Sequence, residues 1–110
     1  MIKLTVLVKR RPDLEVEEFH RIWREHGAMI RDEPAFRKYI RRYEQHHAVA
    51  ESKSEWDGMV FQWFDSLEDF FALLGDPAYI EKMQPDEARM LDMDGIIVFF
   101  TDEAEVFIPS

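Results

Sequence analysis

The residue best suited to acid–base chemistry in this sequence is His26. Apolar residues recur at helical spacing from about residue 15 to 32, and His26 interrupts that stripe on the side that should face the sheet. An imidazole has an ordinary pKa of about 6.5, so small changes in environment make it a base or an acid at neutral pH. Gly27 follows directly, which indicates a close approach to the helix backbone or a break there. We predict that His26 lies in a pocket; a core histidine satisfied by a hydrogen bond is the alternative.

A second set of candidate side chains lies on a predicted strand over residues 36–48. Side chains on a strand alternate between its two faces, so His46 and His47 point in opposite directions. One face then carries a polar and aromatic row: Tyr39, Arg41, Tyr43, Gln45 and His47. Such a row predicts either a cavity wall or a solvated edge strand. His47 and Tyr43 are candidates for catalysis, and Arg41 for holding a carboxylate or phenolate.

Other site chemistries are not favoured by the motifs. No two histidines have the i, i+4 helical or i, i+2 strand spacing that would direct both at one metal ion. His20 should be exposed, on a different face of the helix from His26. The sequence has no Gly-x-Ser-x-Gly turn, phosphate loop or dinucleotide fingerprint, and it contains no cysteine. We therefore expect no metal site.

The hydrophobic periodicity predicts four strands and two main helical regions. Ser66 and Asp69 form an N-terminal capping pattern, and Gly75 ends the helix that follows. The elements are a strand over 2–9, a helix over 15–32, a strand over 36–48, a strand over 59–64, a helix over 67–74, a helical piece from about 77 to 91 and a strand over 96–100. This βαββαβ order is that of a ferredoxin-like α+β fold, a four-stranded antiparallel sheet with both helices on one face. Residues 1–110 are expected to form one domain.

The last two strands are too apolar to have one face in water. Five consecutive residues from Ile96 to Phe100 are apolar, as are five of the six from Met59 to Phe64. Because the helices cover only one face, we predict that a second copy covers the other by two-fold symmetry. The apolar tail residues 105–108 could extend across that partner. Phe61 and Trp63 are interpreted as core or pocket wall.

The charge balance limits the partners. The chain has 23 acidic and 14 basic residues, a net charge of −9, which repels phosphate backbones and anionic membrane surfaces. Neither nucleic acid nor a membrane is an expected partner. The N-terminal residues are too short and polar a run for a signal peptide or a membrane span, and a cytoplasmic location is expected.

Several motifs together resemble the EthD family of dimeric α+β barrel proteins. They are Lys9-Arg10-Arg11-Pro12, Phe19, Trp23-Arg24-Glu25-His26-Gly27, Tyr43-Glu44-Gln45-His46-His47, Asp57-Gly58 and Trp63-Phe64-Asp65-Ser66. In the second strand the family tends to carry Gln-Asn-His, so His46 replaces an asparagine. The resemblance implies a homodimeric barrel with a pocket between sheet and helices in each subunit. It also implies similarity to cofactor-free cyclases, dehydratases, isomerases and oxygenases of polyketides and other aromatic or lactone-like compounds.

These observations lead to a main hypothesis and two alternatives. In the main one the protein is a cofactor-free proton-transfer enzyme, a cyclase, dehydratase or other lyase, or isomerase, with His26 as general acid or base. His47 or Tyr43 is the partner group and Arg41 orients the substrate. The remaining predicted substrate-binding residues are Trp23, Trp63, Tyr39 and Phe61. The alternatives are a non-catalytic small-molecule-binding accessory protein of a catabolic pathway, and a cofactor-free monooxygenase.

Overall fold

Four strands pair into one antiparallel sheet in the computed structural model, which describes residues 1–110. The strands lie in the order β2-β3-β1-β4. The elements are β1 (Ile2–Val8), α1 (Val16–Asp32), β2 (Ile40–His47), β3 (Gly58–Phe64), α2 (Leu67–Gly75), α3 (Gln84–Met90) and β4 (Ile97–Thr101). A π-helical turn, Tyr79–Met83, leads directly into α3. The predicted βαββαβ order and ferredoxin-like α+β fold are confirmed.

The start of the second strand was predicted wrongly. Residues Pro34–Lys38 form a 3₁₀ turn, and β2 begins only at Ile40. Pro34 stands at the start of this turn, where its fixed φ suits a helical conformation. The turn buries Phe36, which is 1% exposed, so this aromatic side chain is part of the core rather than of the strand.

Alternation along the strands directs one sheet face to the helices. Leu4, Val8, Val60 and Phe64 are buried on that face. Helix α1 packs against it with the predicted stripe, whose buried members are Phe19, Ile22, Trp23, His26 and Ile30. Ser66 caps α2 as expected, its Oγ accepting a hydrogen bond from the Asp69 N–H. None of the helices combines the length and the apolar run that crossing a bilayer requires.

The opposite sheet face is apolar and has no helix over it. Met59, Ile97 and Phe99 lie there, and Phe99 is 59% exposed. Phe61 and Trp63 also lie on this face, because β3 directs Val60, Gln62 and Phe64 to the helices. Their assignment to the substrate pocket was therefore wrong. A second copy of the chain would remove this apolar surface from water.

Gly27 allows strand β2 to approach helix α1 closely. A Cβ atom at this position would lie 2.6 Å from Gln45 Nε2. That nitrogen donates hydrogen bonds to the Trp23 carbonyl oxygen at 2.7 Å and to the Tyr43 hydroxyl at 3.0 Å. The close approach predicted from the glycine is therefore that of the Gln45 side chain.

Gly27→Ala should destabilise the fold through Gln45. Alanine gains about 1 kcal/mol in a helix interior, but displacing Gln45 breaks two hydrogen bonds of roughly 1 kcal/mol each. We expect a net loss of about 1 kcal/mol in the free energy of unfolding, measured by urea denaturation. In a Gln45→Ala background the same change should instead stabilise by about 1 kcal/mol. Equal effects in both backgrounds would contradict this explanation.

Phe99→Asp should convert a dimer to a monomer, because it places a charge in the apolar sheet face. The measurement is molar mass by light scattering after gel filtration. Phe71→Asp is a matched control, since Phe71 is 61% exposed but lies on α2, away from this face. A Phe99→Asp protein that keeps the dimeric mass would exclude this face as the interface.

Candidate active site

A cavity of about 170 Å³ lies between the sheet and the helices, where the resemblance to EthD proteins placed one. Its wall is mostly aliphatic and aromatic, and includes the buried Trp23. Five side chains bring polar or titratable groups to it: His26, Tyr43, Gln62, Tyr79 and Glu87. An apolar cavity with a few converging polar groups is the usual form of a small-molecule site.

His26 is held by a carboxylate from another helix. Its Nδ1 lies 2.6 Å from Oδ2 of Asp86 in α3, and both side chains are largely buried. Burial lowers the pKa of His26, although Asp86 opposes this shift. A neutral imidazole then donates its Nδ1–H to Asp86, which leaves the Nε2 lone pair without a partner in the protein. The His26 Nε2 atom is therefore free to accept a proton.

Glu87 is the second carboxyl group at this end of α3. The Tyr79 hydroxyl donates to its two oxygens at 2.9 and 3.1 Å. Burial raises the pKa of Glu87 to about 7, and the same burial raises the pKa of Tyr79. Near neutral pH the Glu87 carboxyl is thus divided between its protonated and ionised forms, as a proton donor requires.

Tyr43 contributes a hydroxyl with a free hydrogen. Its oxygen accepts from Gln45 Nε2, and burial raises its pKa to about 12. The hydroxyl therefore stays protonated over the physiological range. Its O–H can donate to an oxygen atom of a molecule in the cavity.

His47 lies on the predicted face of β2 but not in the cavity. Its ring packs against Trp23 at a tilted angle with centroids 4.1 Å apart, and its Nδ1 is 2.6 Å from Nδ1 of His20. His20 is half-buried by this contact, so the prediction that it is exposed was wrong. Burial lowers the pKa of His47 to about 4. His47 reaches the cavity only indirectly, since its Nε2 bonds to Gln45 Oε1 at 2.9 Å. The predicted pairing of His26 with His47 around one substrate does not fit this arrangement.

Arg41 and Tyr39 also lie outside the cavity. A β-bulge between Ile40 and Arg42 breaks the alternation from which their direction was predicted. The Arg41 guanidinium pairs with Asp65 at 2.7 Å on the surface. The Tyr39 hydroxyl donates to Asp76 at 2.9 Å. Neither side chain is placed to bind a molecule beside His26.

The sequence interpretation overlooked four residues of the site: Gln62, Tyr79, Asp86 and Glu87. A signal for the last two was present. Met83 and Met90 are buried and seven residues apart, and Asp86 and Glu87 fall between them at the i+3 and i+4 positions. They therefore occupy the apolar stripe of their helix, as His26 does in α1. Nowhere do three histidine or carboxylate side chains come together as a metal-binding group.

Glu87→Gln should change the pH dependence of stability. Because the folded pKa of Glu87 is raised from 4.5 to about 7, its stabilising contribution is complete below pH 4.5 and is lost as the pH rises through about 7. At pH 8 the variant should be more stable than the wild type by up to about 3 kcal/mol, and at pH 4.5 the two should be similar. Urea denaturation at both pH values tests this. Glu81→Gln, on the exposed surface, controls for the loss of a charge. A difference that is the same at both pH values would contradict the assignment.

Comparison with known proteins agrees with this fold. Among curated proteins, the dehydratase aurZ of Gibberella zeae is 25% identical over 108 residues, covering 84% of this chain and 70% of that protein. A dimeric ferredoxin-like protein of unknown function from Bacteroides fragilis has a TM-score of 0.74 at 22% identity, with 93% of this chain and 95% of that chain covered. The hydroxynitrile lyase of Passiflora edulis has a TM-score of 0.68 at 14% identity, with 97% and 96% covered. The sequence model of the EthD domain family matches residues 11–94 of this chain. The chain therefore belongs to the EthD domain family.

Proposed function

We propose that the protein is a cofactor-free enzyme of proton-transfer type, a dehydratase or related lyase, in which His26 is the general base. The observation that carries this proposal is the state of the His26 ring. Its Nδ1 is bonded to Asp86, its pKa is lowered by burial, and its Nε2 has no partner within an apolar cavity. His26 lines the cavity with a ring whose only hydrogen bond within the protein is at Nδ1, which leaves Nε2 available to a bound molecule.

The proposed reaction uses two groups of the cavity. His26 Nε2 removes a proton from a carbon next to an electron-withdrawing group. Glu87, whose pKa of about 7 leaves it partly protonated, gives a proton to the departing hydroxyl. One C–H and one C–O bond break, a C=C bond forms and water leaves, so that protons and electrons balance.

Tyr43 stabilises the charge that develops between these steps. Removal of the proton leaves negative charge on the oxygen or nitrogen of the electron-withdrawing group. The Tyr43 O–H, held by Gln45, donates a hydrogen bond to that atom in a site of low polarity, where such bonds are strongest. A homodimer in which the second copy covers the other sheet face would leave this cavity open.

The comparisons support this class of chemistry. The curated relative is named a dehydratase, and one structurally similar protein is named a hydroxynitrile lyase. Elimination of this kind requires a base, an acid and exclusion of water. His26, Glu87 and the apolar wall meet these three requirements.

The proposal is tested by proton exchange in D₂O. Wild-type protein is incubated with a panel of aromatic and lactone-like hydroxy compounds, and deuterium uptake and loss of water are followed by NMR and mass spectrometry. His26→Gln should keep the fold and lower the rate by roughly 100-fold or more. His47→Gln is the control, because His47 lies outside the cavity, and should keep most of the activity.

Three outcomes would count against the proposal. Equal exchange rates for the wild type and His26→Gln would end the proposal. Saturable binding of panel compounds without exchange or turnover would favour the non-catalytic binding protein instead. Substrate-dependent oxygen consumption would favour the monooxygenase.

A further inference from the structure

Gln62 has an unused hydrogen-bonding group beside the proposed reaction site. Its Oε1 is the only side-chain nitrogen or oxygen that is fully inaccessible to solvent and has no hydrogen-bond partner. The residue lies in the middle of β3, on the face turned to the helices, and lines the cavity with His26. It is also the only polar residue from Met59 to Phe64.

An unpaired buried amide is costly, and a methionine or leucine of similar size would avoid that cost. Native proteins rarely leave such groups unpaired, so each one requires an explanation. The terminal torsion of glutamine is broad and roughly two-fold, so rotation can present either end of the amide to the cavity. A hydroxyl group both donates and accepts, and therefore pairs with the amide in either orientation.

The size of the cavity limits what can carry that hydroxyl. About 170 Å³ is available. A dry cavity of roughly 150 Å³ in a protein interior binds benzene. One substituted six-membered ring fits this space. The wall around it is mostly apolar, and the site holds no arginine or lysine to balance an anionic group.

We propose that Gln62 determines substrate specificity by hydrogen bonding to a hydroxyl group on a neutral, single-ring substrate. This inference rests on the proposed use of the cavity as the substrate site. It adds a substrate class, a small uncharged hydroxylated ring, and a residue that selects it. Gln62 acts by binding and takes no part in the transfer of the proton.

The test compares phenol with toluene, which has a similar shape but no hydrogen-bonding group. Dissociation constants are measured by titration calorimetry or NMR shifts for the wild type, Gln62→Met and Tyr43→Phe. For each protein, the affinity for phenol is divided by the affinity for toluene. The hydration free energies of the two ligands are the same in every experiment, so their difference cancels when the ratios of two proteins are compared. Gln62→Met should lower this ratio by roughly 5- to 100-fold, the range expected when a hydroxyl loses its only buried partner. Its melting temperature without ligand should not fall, because an unpaired polar atom has been removed.

Tyr43→Phe is the matched control, since it removes one other polar group from the same cavity. A ratio that falls in Tyr43→Phe but not in Gln62→Met would overturn the inference, as would equal ratios in all three proteins. Saturable binding of 1-naphthol as tight as that of phenol would overturn the single-ring limit. If Gln62→Met does not fold, the same comparison is made with Gln62→Leu. If His26→Gln loses proton exchange but Gln62→Met keeps the wild-type affinity ratio, only this inference fails. If His26→Gln keeps proton exchange but Gln62→Met lowers the affinity ratio, only the catalytic proposal fails.

Discussion

A buried hydrogen bond between His26 of α1 and Asp86 of α3 joins the two helices that enclose the cavity. It crosses sixty positions of sequence, and both partners are largely removed from water. The guanidinium of Arg89 donates to the other oxygen of Asp86 at 2.8 Å from the surface side. The pair therefore does two things at once. It positions α3 over the sheet, and it determines which imidazole nitrogen carries the proton.

Asp86 and its neighbour Glu87 have different hydrogen-bond partners. Asp86 has a guanidinium beside it, whereas Glu87 has only the Tyr79 hydroxyl. Burial of the Glu87 carboxyl is the main cause that raises its pKa to about 7, and the negative charge of Asp86 adds to the rise. Two carboxyl groups on one turn of helix thus acquire different roles. In the proposed mechanism, Asp86 orients the base and Glu87 supplies the acid.

Much of this could be predicted from local patterns, because strand alternation and helical spacing are local properties. They gave the βαββαβ order, the burial of His26 and the close approach at Gly27. Contacts between residues far apart in the sequence could not be predicted from these local patterns. Nothing in the sequence near His26 indicates Asp86. Arg41 was predicted to face the cavity from strand alternation, and the bulge in β2 interrupts that alternation. Phe61 and Trp63 were misplaced because β3 carries apolar side chains on both faces and its one polar residue, Gln62, lies on the face turned to the helices.

The two faces of β3 show how one strand serves both assembly and chemistry. Its outer side chains are large and apolar, which suits a surface that a second subunit covers. Its inner side chains are also apolar except for Gln62, whose buried Oε1 has no hydrogen-bond partner and therefore carries a desolvation cost. A folded chain can carry such a cost at a few positions, and these concentrate where a ligand completes the hydrogen bonding. On the proposed use of the cavity, the unpaired Gln62 oxygen and the free His26 Nε2 have a common explanation, since a small polar ring bound there would supply a partner to both.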